Sequence, residues 1–332
     1  MNTNTKPTSP RIIIAVFMIV ALGLGVYLAV NQANSQDTNL EKTSLRLKWI
    51  NQAQFSGYYM AQKEGAYSKA GFDVKIDPAG PNISPVQMVV SGVNDFGIIG
   101  GSELLKARSQ GIPIVALATI LQDDPISLVS LQEDNITTPE DLIGKQVGVI
   151  YGNGEDLYRE YLRIHNIDKS QLKEVAALPG GGQLLSGQVD ILMAYSTSVP
   201  VQLSLQGVET NVVNLSSNAT SAYGDTLFTT EEMIKNHPDE VSRFVRASLE
   251  GWVFAVENQS VAIDEVMRIN PTLERAAQVG YLEKLIPFMG DQAKMGESKA
   301  EKWESMQDML IQSGSIEKKT DVTQAFTNRF LK

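Results

Sequence analysis

The chain has 332 residues, of which 43% are hydrophobic and 20% are charged, and its formal net charge is −10. These are ordinary values for a globular protein, and the length allows one large domain or two lobes. The acidic balance, with no run of Lys or Arg, argues against a nucleic-acid partner. The absence of cysteine excludes disulfides, thiolate catalysis, zinc–thiolate sites and iron–sulfur clusters.

The two histidines, His165 and His237, fall near predicted helix ends, where histidine is favoured on the surface. They leave little from which to build a histidine-based metal site or a catalytic triad. We therefore predict no metal, no cofactor and no catalytic residue, and hence a protein that is not an enzyme.

The amino terminus carries the pattern of an export signal. Lys6 and Arg11 precede the charge-free residues 12–30, and a polar stretch follows. Cleavage after Ser35 would release the protein, whereas retention of the apolar segment, which is just long enough to span a bilayer, would anchor it. Both outcomes stay open, and both place the body in the periplasm or on the outer face of the cytoplasmic membrane. Residues 1–42 are thus interpreted as a signal peptide or signal anchor with a polar tether.

After this segment, strand and helix patterns alternate along the chain, which predicts an α/β fold with a mostly parallel sheet. Alternating or continuous apolar runs predict strands at residues 45–49, 72–76, 95–99, 114–120, 127–131, 145–150, 172–178, 189–194 and 208–213. Helical periodicity and capping residues predict helices at residues 57–70, 86–91, 102–110, 155–165, 238–257, 258–270, 273–285 and 300–312, with short ones opening at Thr138 and at Thr229 or Thr230.

The order of these elements indicates two lobes. One α/β unit is followed by a second, and the chain then ends in helices that have no sheet of their own. The simplest solution is an interrupted lobe: residues 43–131 begin lobe 1, residues 132–223 form lobe 2, and residues 224–332 complete lobe 1. The chain would cross between lobes near residues 131–137 and 222–229, with a ligand cleft between the lobes.

Several segments resemble the periplasmic proteins that bind thiamine-pyrimidine precursors such as formylaminopyrimidine. The same segments are similar to the yeast-type hydroxymethylpyrimidine phosphate synthases, which share the superfamily. The resemblance covers nearly all of the chain after the signal. It is carried by residues 47–61 (LKWINQAQFSGYYMA), 63–67 (KEGAY), 71–74 (GFDV), 120–122 (ILQ), 141–145 (DLIGK) and 223–227 (YGDTL).

The resemblance implies a type 2 periplasmic-binding-protein fold, in which two α/β lobes enclose a ligand. It also implies a monomer that delivers a small heterocycle to an ABC permease. Other ligands of the superfamily, namely riboflavin, alkanesulfonates and nitrate, remain alternatives.

The chain departs from the synthase branch of the superfamily. That branch carries a Lys and a His on the helix that corresponds to residues 101–107, and a cysteine-rich segment farther on. Here the helix reads GSELLKA, with Lys106 late in the helix and no histidine. The resemblance therefore favours a binding protein, and a synthase-like enzyme is the less favoured alternative.

Side chains for a flat, hydrogen-bonding ring are available at predicted strand ends and loops. Aromatic residues offer stacking faces, amides offer donors and acceptors, and a glycine-rich turn before a helix offers free backbone N–H groups. Core packing or a satisfied loop amide is the competing explanation for each of them. The candidate ligand-binding residues are Trp49, Gln54, Tyr58, Gln122, Gly152, Asn153, Gly154, Glu155, Tyr195, Tyr223 and Asp225.

The arginines give a further indication of the ligand's charge. Arg159, Arg163, Arg243 and Arg246 lie on predicted helix faces, away from strand ends. An anion binder needs an arginine in the cleft. The pattern therefore favours a neutral or cationic heterocycle over a sulfonate.

Overall fold

The computed structural model describes residues 40–80, 83–152, 154–216 and 222–332. The predicted export segment, residues 12–30 and Ser35, lies outside them. Glu41–Lys332 form one unit. Within the described ranges, no helix has the length and apolar character needed to cross a membrane.

Ten strands form two five-stranded sheets, one in each lobe, as expected for two α/β lobes. The first sheet has the order β2-β1-β3-β10-β4 and the second has the order β7-β6-β8-β5-β9. The strands are β1 Glu41–Arg46, β2 Phe72–Asp77, β3 Phe96–Ile99, β4 Ile114–Thr119, β5 Ile126–Leu131, β6 Gln146–Val149, β7 Lys173–Ala176, β8 Ile191–Tyr195, β9 Thr210–Asn214 and β10 Thr226–Thr230.

The helices cover these sheets and form most of the last third of the chain. The predicted helix over residues 57–70 is two helices, because Gly65 takes a left-handed conformation with φ +78° between them. The helices are α1 Ser56–Lys63, α2 Ala66–Lys69, α3 Pro85–Val90, α4 Gly101–Ser109, α5 Glu155–Ile164, α6 Gly182–Leu185, α7 Val199–Ser204, α8 Glu231–Asn236, α9 Pro238–Glu257, α10 Gln259–Ile269, α11 Arg275–Leu285 and α12 Ala300–Gln312.

The sheets are mixed, which corrects the expectation of a mostly parallel arrangement. β1 pairs in parallel with β2 and β3, and β6 pairs in parallel with β7 and β8. β10 and β5, the strands that follow each change of lobe, pair antiparallel with both of their neighbours. Strands that enter from the other lobe arrive without a helical crossover, so they are free to run in the opposite direction.

The change of lobe falls earlier than the prediction of residues 131–137. β5 belongs to the second sheet, so the first crossing lies between Thr119 and Ile126. The return crossing lies between Asn214 and Thr226 and includes residues outside the described ranges. The two crossings touch where the Asp124 backbone N–H donates to the Ala222 carbonyl at 2.9 Å. The two segments that connect the lobes are therefore in contact with each other.

The packing of α1 against α9 in lobe 1 fixes the position of the turn that leads into α1. α1 and α9 cross at two glycines, because a Cβ on Gly57 would lie 2.1 Å from the Trp252 ring and one on Gly251 would lie 2.2 Å from the Gly57 carbonyl oxygen. Only a side-chain-free surface permits this approach. The 3₁₀ turn Ala53–Phe55, which precedes α1, is thereby held between β1 and the helical layer.

Candidate functional site

A cavity of about 340 Å³ lies between the two sheets. Lobe 1 contributes the segment after β1, residues 48–54, and the start of α11 with the loop before it, residues 272–281. Lobe 2 contributes residues 177–180 after β7, the end of β8, and residues 198–202 at α7. The carboxyl ends of β1, β7 and β8 thus face the cavity from both lobes, which is where open α/β sheets bind ligands.

Three aromatic side chains line the cavity: Trp49, Tyr195 and Tyr281. Trp49 follows β1, and its backbone carbonyl accepts a hydrogen bond from the Ala79 N–H at 2.9 Å. Tyr195 ends β8 in lobe 2, whereas Tyr281 lies on α11 in lobe 1. Aromatic surfaces are therefore available from both lobes, as a flat ring held between them requires.

A buried ion pair forms the floor of the cavity. The Lys48 ammonium lies 2.9 Å from Asp225 Oδ1, and the side chains of both residues are 2% exposed. Lys48 also donates to the Tyr195 hydroxyl at 2.8 Å, and that hydroxyl donates to Asp225 Oδ1 at 3.0 Å. Lys48 and Asp225 belong to lobe 1 and Tyr195 belongs to lobe 2, so this triangle joins the lobes directly beneath the cavity.

Amide side chains extend the network into the cavity wall. Gln54 donates to both Asp225 oxygens, at 3.1 and 2.8 Å. Its own Oε1 accepts from Gln52 Nε2 at 2.8 Å and from the Tyr281 hydroxyl at 3.1 Å. Gln278 accepts from the Ala53 N–H at 2.8 Å. The wall is thus held in one arrangement before any ligand enters, which lowers the ordering cost of binding.

The charges at the floor compensate one another. Burial opposes the charged form of Lys48, but the neighbouring carboxylates Asp225 and Asp124 outweigh it, so the pKa of Lys48 lies above its usual value. Burial raises the pKa of the Asp124 carboxyl to about 6, although Lys48 acts in the opposite direction. Burial and the same carboxylates hold the pKa of Tyr195 far above its usual value, so its hydroxyl remains protonated. The positive charge of Lys48 is therefore compensated by two neighbouring carboxylates within the protein.

Polar groups without a protein partner also line the cavity. Among the described residues, the Gln202 amide, the Glu274 carboxylate, the Trp49 indole N–H and the Gln278 amide N–H₂ have no hydrogen-bond partner. They offer both donors and acceptors, and Glu274 adds an exposed negative charge at the rim. A ligand with a mixed donor and acceptor edge would satisfy them.

The structure brings together four of the candidate residues from the sequence. Trp49, Gln54 and Tyr195 line the cavity, and Asp225 lies directly behind Gln54 and Tyr195. Their contact with a ligand stays a prediction.

Three candidates lie away from the cavity. Tyr58 is fully buried in lobe 1, with its ring edge-on to Trp252 at 5.6 Å between centroids. The Tyr223 hydroxyl accepts from the Lys299 N–H at 2.8 Å, and its ring packs on Trp303. Gln122 donates to two backbone carbonyls, those of Thr119 and Glu297. Tyr58 and Tyr223 therefore pack in the core, and the Gln122 amide is satisfied by backbone carbonyls, as the competing explanations describe.

The glycine-rich turn before α5 is also outside the cavity lining. Gly152 and Gly154 have φ of +87° and +78°, as a tight turn requires, and Asn153 lies outside the described residues. Glu155 accepts from the Gly152 N–H at 3.1 Å and pairs with Arg159 at 2.9 Å. Its acceptor oxygens are therefore used within the protein. None of the described residues of this turn contributes to the cavity.

Other residues of the site were given no role by the sequence. Lys48, Gln202 and the α11 residues Gln278 and Tyr281 belong to three segments far apart in the chain, and Gln202 joins the other three from lobe 2. The described lining contains no arginine, in agreement with the placement of the arginines on helix faces. The described residues also contain no group of three or more His, Cys, Asp or Glu side chains that could hold a metal ion.

Two mixed sheets with a cavity between them define the class of protein: a two-lobed, type 2 periplasmic-binding-protein fold. The structure superposes with that of the periplasmic aliphatic sulphonate binding protein SsuA from Escherichia coli, with a TM-score of 0.68 over 87% of this chain and 92% of that one, at 16% identity. The model of the family described as NMT1/THI5 like matches residues 52–262, and the chain belongs to this family.

Relatives of the chain include both binding proteins and enzymes. It is 28% identical to the riboflavin-binding protein RibY of Chloroflexus aurantiacus, over 90% of this chain and 88% of that protein. It is 23% identical to the formylaminopyrimidine-binding protein of Halalkalibacterium halodurans, over 94% of this chain and 98% of that protein. A 4-amino-5-hydroxymethyl-2-methylpyrimidine phosphate synthase of Legionella pneumophila is 22% identical, over 87% of this chain and 92% of that protein.

Proposed function

We propose that the protein is the solute-binding component of an ABC importer and that it captures a flat heteroaromatic molecule between its two lobes. The observation that carries the proposal is the cavity itself. Aromatic faces from both lobes, Trp49 and Tyr281 on one side and Tyr195 on the other, surround a space lined with amide groups. Stacking faces supply affinity for a ring, and the amides select its hydrogen-bonding edge.

The charge of the cavity supports a neutral ring over an anion. A sulfonate or nitrate requires a cation with unused hydrogen-bonding capacity, preferably an arginine. Lys48 is the one cationic side chain in the described lining, and Asp225 and Tyr195 occupy it. The rim adds the negative Glu274. An anionic ligand would therefore meet a neutralised floor and an acidic edge.

A thiamine-precursor pyrimidine is the first ligand class that we propose, and riboflavin is the second. The pyrimidine fits the mixed donors and acceptors of Gln202, Gln278 and Glu274. Riboflavin is supported by the relative at 28% identity, and the volume of about 340 Å³ lies within the range of small-molecule sites. Both molecules present a flat face and a hydrogen-bonding edge.

The same geometry supports binding without catalysis. A lysine acts as a nucleophile when its pKa is lowered so that the free amine is present. Asp225 and Asp124 have the opposite effect on Lys48, which stays charged. The protein has no cysteine, and neither histidine lines the cavity. We accordingly propose that it is not an enzyme, although some relatives are synthases.

The proposed partner is the membrane permease of the importer, and the proposed location is outside the cytoplasm. The export pattern of residues 12–30 and the likeness to a periplasmic sulphonate-binding protein and a formylaminopyrimidine-binding protein support both. We further propose that the protein works as a monomer, since one chain supplies every wall of the cavity.

A ligand panel tests this function. The purified protein is titrated with formylaminopyrimidine, hydroxymethylpyrimidine, riboflavin, thiamine and an alkanesulfonate, and thermal unfolding and calorimetry measure binding. We expect at least one ring compound to raise the unfolding temperature in a concentration-dependent way. Stabilisation by the sulfonate alone would contradict the proposed ligand class, and no response to any compound would contradict the proposed function.

Trp49→Leu provides the matched test of the site. Removal of one stacking face should weaken binding of the ring about tenfold. Tyr151→Leu is the control, because Tyr151 is 50% exposed and lies outside the cavity lining. Equal losses in the two variants would show that the ligand does not contact Trp49.

A further inference from the structure

Helix α11 of lobe 1 and helix α7 of lobe 2 approach each other very closely beside the cavity. The contact is at Gly280, where a Cβ would lie 2.7 Å from Val201 Cγ1. Carbon atoms prefer separations of about 3.5–4.0 Å, so this approach needs a residue without a side chain. The contact joins two lobes, whereas the glycine contacts of α1 and α9 lie inside one lobe.

The two helices in contact also form facing walls of the cavity. On α11, Ala277, Gln278 and Tyr281 line the cavity, and Ala277 and Tyr281 lie three positions before and one position after Gly280. On α7, Val199 and Gln202 line the cavity and flank Val201. The separation of the two helices at Gly280 therefore sets the distance between two walls of the ligand site.

Val201 is buried at this interlobe contact and not in a lobe core. It is only 6% exposed, yet it belongs to neither of the two hydrophobic clusters formed by the described residues. Its neighbours Val199 and Leu203 do belong to the smaller cluster, in lobe 2. The side chain of Val201 thus has the position of a contact that forms when the lobes close.

Glycine in the middle of α11 is unfavourable for the helix itself. It has more conformational freedom to lose than alanine and is a poor helix former. An Ala at position 280 would stabilise the isolated helix, so the local structure gives no reason for the glycine. The approach of the opposite lobe gives one.

We propose that Gly280 determines how far the lobes close and, through the distance between α11 and α7, which thickness of ring the cavity holds. The inference rests on the proposed function, because it concerns the width of the same site. Gly280 acts here as a positioning residue, since its part is to admit Val201 and not to touch the ligand.

Interlobe distance gives a test that needs no ligand. Because the chain has no cysteine, Gln206→Cys and Lys284→Cys introduce a single pair of thiols, one beyond α7 and one on α11. Spin labels on this pair report the separation of the lobes. We expect Gly280→Ala to shift the distance distribution to longer values, and Gly280→Ala with Val201→Ala to restore it. An unchanged distribution in Gly280→Ala would overturn the proposal.

Ligand affinity gives the second readout, with formylaminopyrimidine and riboflavin as the probes. For each probe that the parent protein binds, we expect Gly280→Ala to weaken binding at least tenfold without lowering the unfolding temperature of the ligand-free protein. The double variant should regain most of the affinity. Gly182→Ala is the control, because a Cβ at Gly182 meets nothing within 4 Å.

The two failures are distinguishable. If the parent binds no compound of the panel, the proposed function fails and the label distances alone decide the role of Gly280. If the parent binds a probe and Gly280→Ala binds it equally well, the width of the site does not depend on Gly280 and the inference is overturned. A loss of affinity that Val201→Ala does not restore would also overturn it.

Discussion

The Lys48 ammonium donates a hydrogen bond to the hydroxyl of Tyr195 over 2.8 Å, although 147 positions of the chain separate the two residues and they lie in different lobes. Asp225 completes the contact by pairing with Lys48 and accepting from Tyr195. Tyr195 and Lys48 of this triangle line the cavity. The arrangement of the two lobes and the shape of the ligand site therefore depend on the same three side chains.

Tyr195→Phe tests this dependence. The change removes the hydroxyl that joins Lys48 to lobe 2 but leaves the Lys48–Asp225 pair and the aromatic ring in place. We expect the free energy of unfolding to fall by about 1–2 kcal/mol, because the lost bonds involve charged groups. We also expect weaker binding of the ligand found in the panel. Urea unfolding and calorimetry measure the two effects.

Tyr161→Phe is the control for that substitution. Tyr161 is also buried in lobe 2, but its hydroxyl has no hydrogen bond within the described part of the chain. Its loss should leave ligand binding unchanged. If both variants bind equally well, the Tyr195 hydroxyl has no part in the ligand site.

Lys48→Met tests the balance of charge at the floor. The change leaves the Asp225 carboxylate buried without its cation, so we expect a loss of about 3–5 kcal/mol in the free energy of unfolding. Asp225→Asn removes that uncompensated charge. The loss in free energy of unfolding in the double variant should therefore be smaller than the sum of the two single losses, by about 1 kcal/mol or more. Urea unfolding of all four proteins gives the coupling.

An exposed lysine provides the comparison for this cycle. Lys75 pairs with Asp77 at 2.9 Å, but its side chain is 76% exposed. Lys75→Met should change the free energy of unfolding by less than about 1 kcal/mol. A loss at Lys48 as small as that at Lys75 would mean that the buried pair is not needed to hold the fold.

The two-lobed fold was predictable from local patterns. The long helix predicted over residues 238–257 is α9, with the same bounds, because Pro238 opens it and its apolar face repeats along its length. Gly71 and Gly111 mark element ends in left-handed conformations with φ of +91° and +84°. The crossing at Ile126 was not predictable, because β5 has the same apolar pattern whichever sheet it joins.

Residues of the candidate site were predictable only where the local sequence alone indicated their position. Trp49 follows β1, Tyr195 ends β8, and both line the cavity, as their predicted positions at the carboxyl ends of strands indicated. Lys48 alternates with apolar neighbours as a surface residue of a strand does, and only Tyr195 and Asp225, far along the chain, bury it. Tyr58 and Tyr223 are aromatic residues next to glycines, a pattern that ligand-binding residues share. In the folded chain both are buried in the core.

Asp124, between the lobes, predicts a dependence of stability on pH. Its folded pKa of about 6 lies above the ordinary value of 3.8, so the folded protein binds more protons than the unfolded chain between these values. The free energy of unfolding should therefore fall as the pH rises from 4 to 6, by up to about 1.4 kcal/mol per unit, and this contribution should then level off. Urea unfolding at pH 4, 5, 6 and 7 follows it.

Asp124→Asn isolates that contribution. The amide oxygen can still accept from the Ile126 N–H, as Asp124 Oδ1 does at 3.0 Å, but the group no longer titrates. The curve of stability against pH should be flatter than that of the parent between pH 4 and 6. Asp134→Asn is the control, since Asp134 is exposed and its removal should leave the curve parallel to the parent's. If the curve of Asp124→Asn is parallel to that of the parent, burial of Asp124 does not cause the pH dependence.

An ion pair joins the lobes outside the cavity. Lys106 on α4 lies 3.0 Å from Asp156 Oδ1 on α5, and Ser315 donates to the same oxygen at 2.8 Å. The Asp156 side chain is 2% exposed, whereas that of Lys106 is 27% exposed. Opening of the lobes would separate Lys106 from a carboxylate that has no other cation near it in the described structure.

This asymmetry in burial predicts an order of effects. Lys106→Met leaves a buried carboxylate without its cation and should cost about 1–3 kcal/mol in the free energy of unfolding. Asp156→Asn should cost less, because its amide oxygen still accepts from Ser315 and the freed Lys106 can reach solvent. Lys319→Met, which breaks a pair with exposed partners, should have the smallest effect. A larger loss for Asp156→Asn than for Lys106→Met would contradict this prediction. It would mean that the Lys106 ammonium depends on its partner more than the Asp156 carboxylate does.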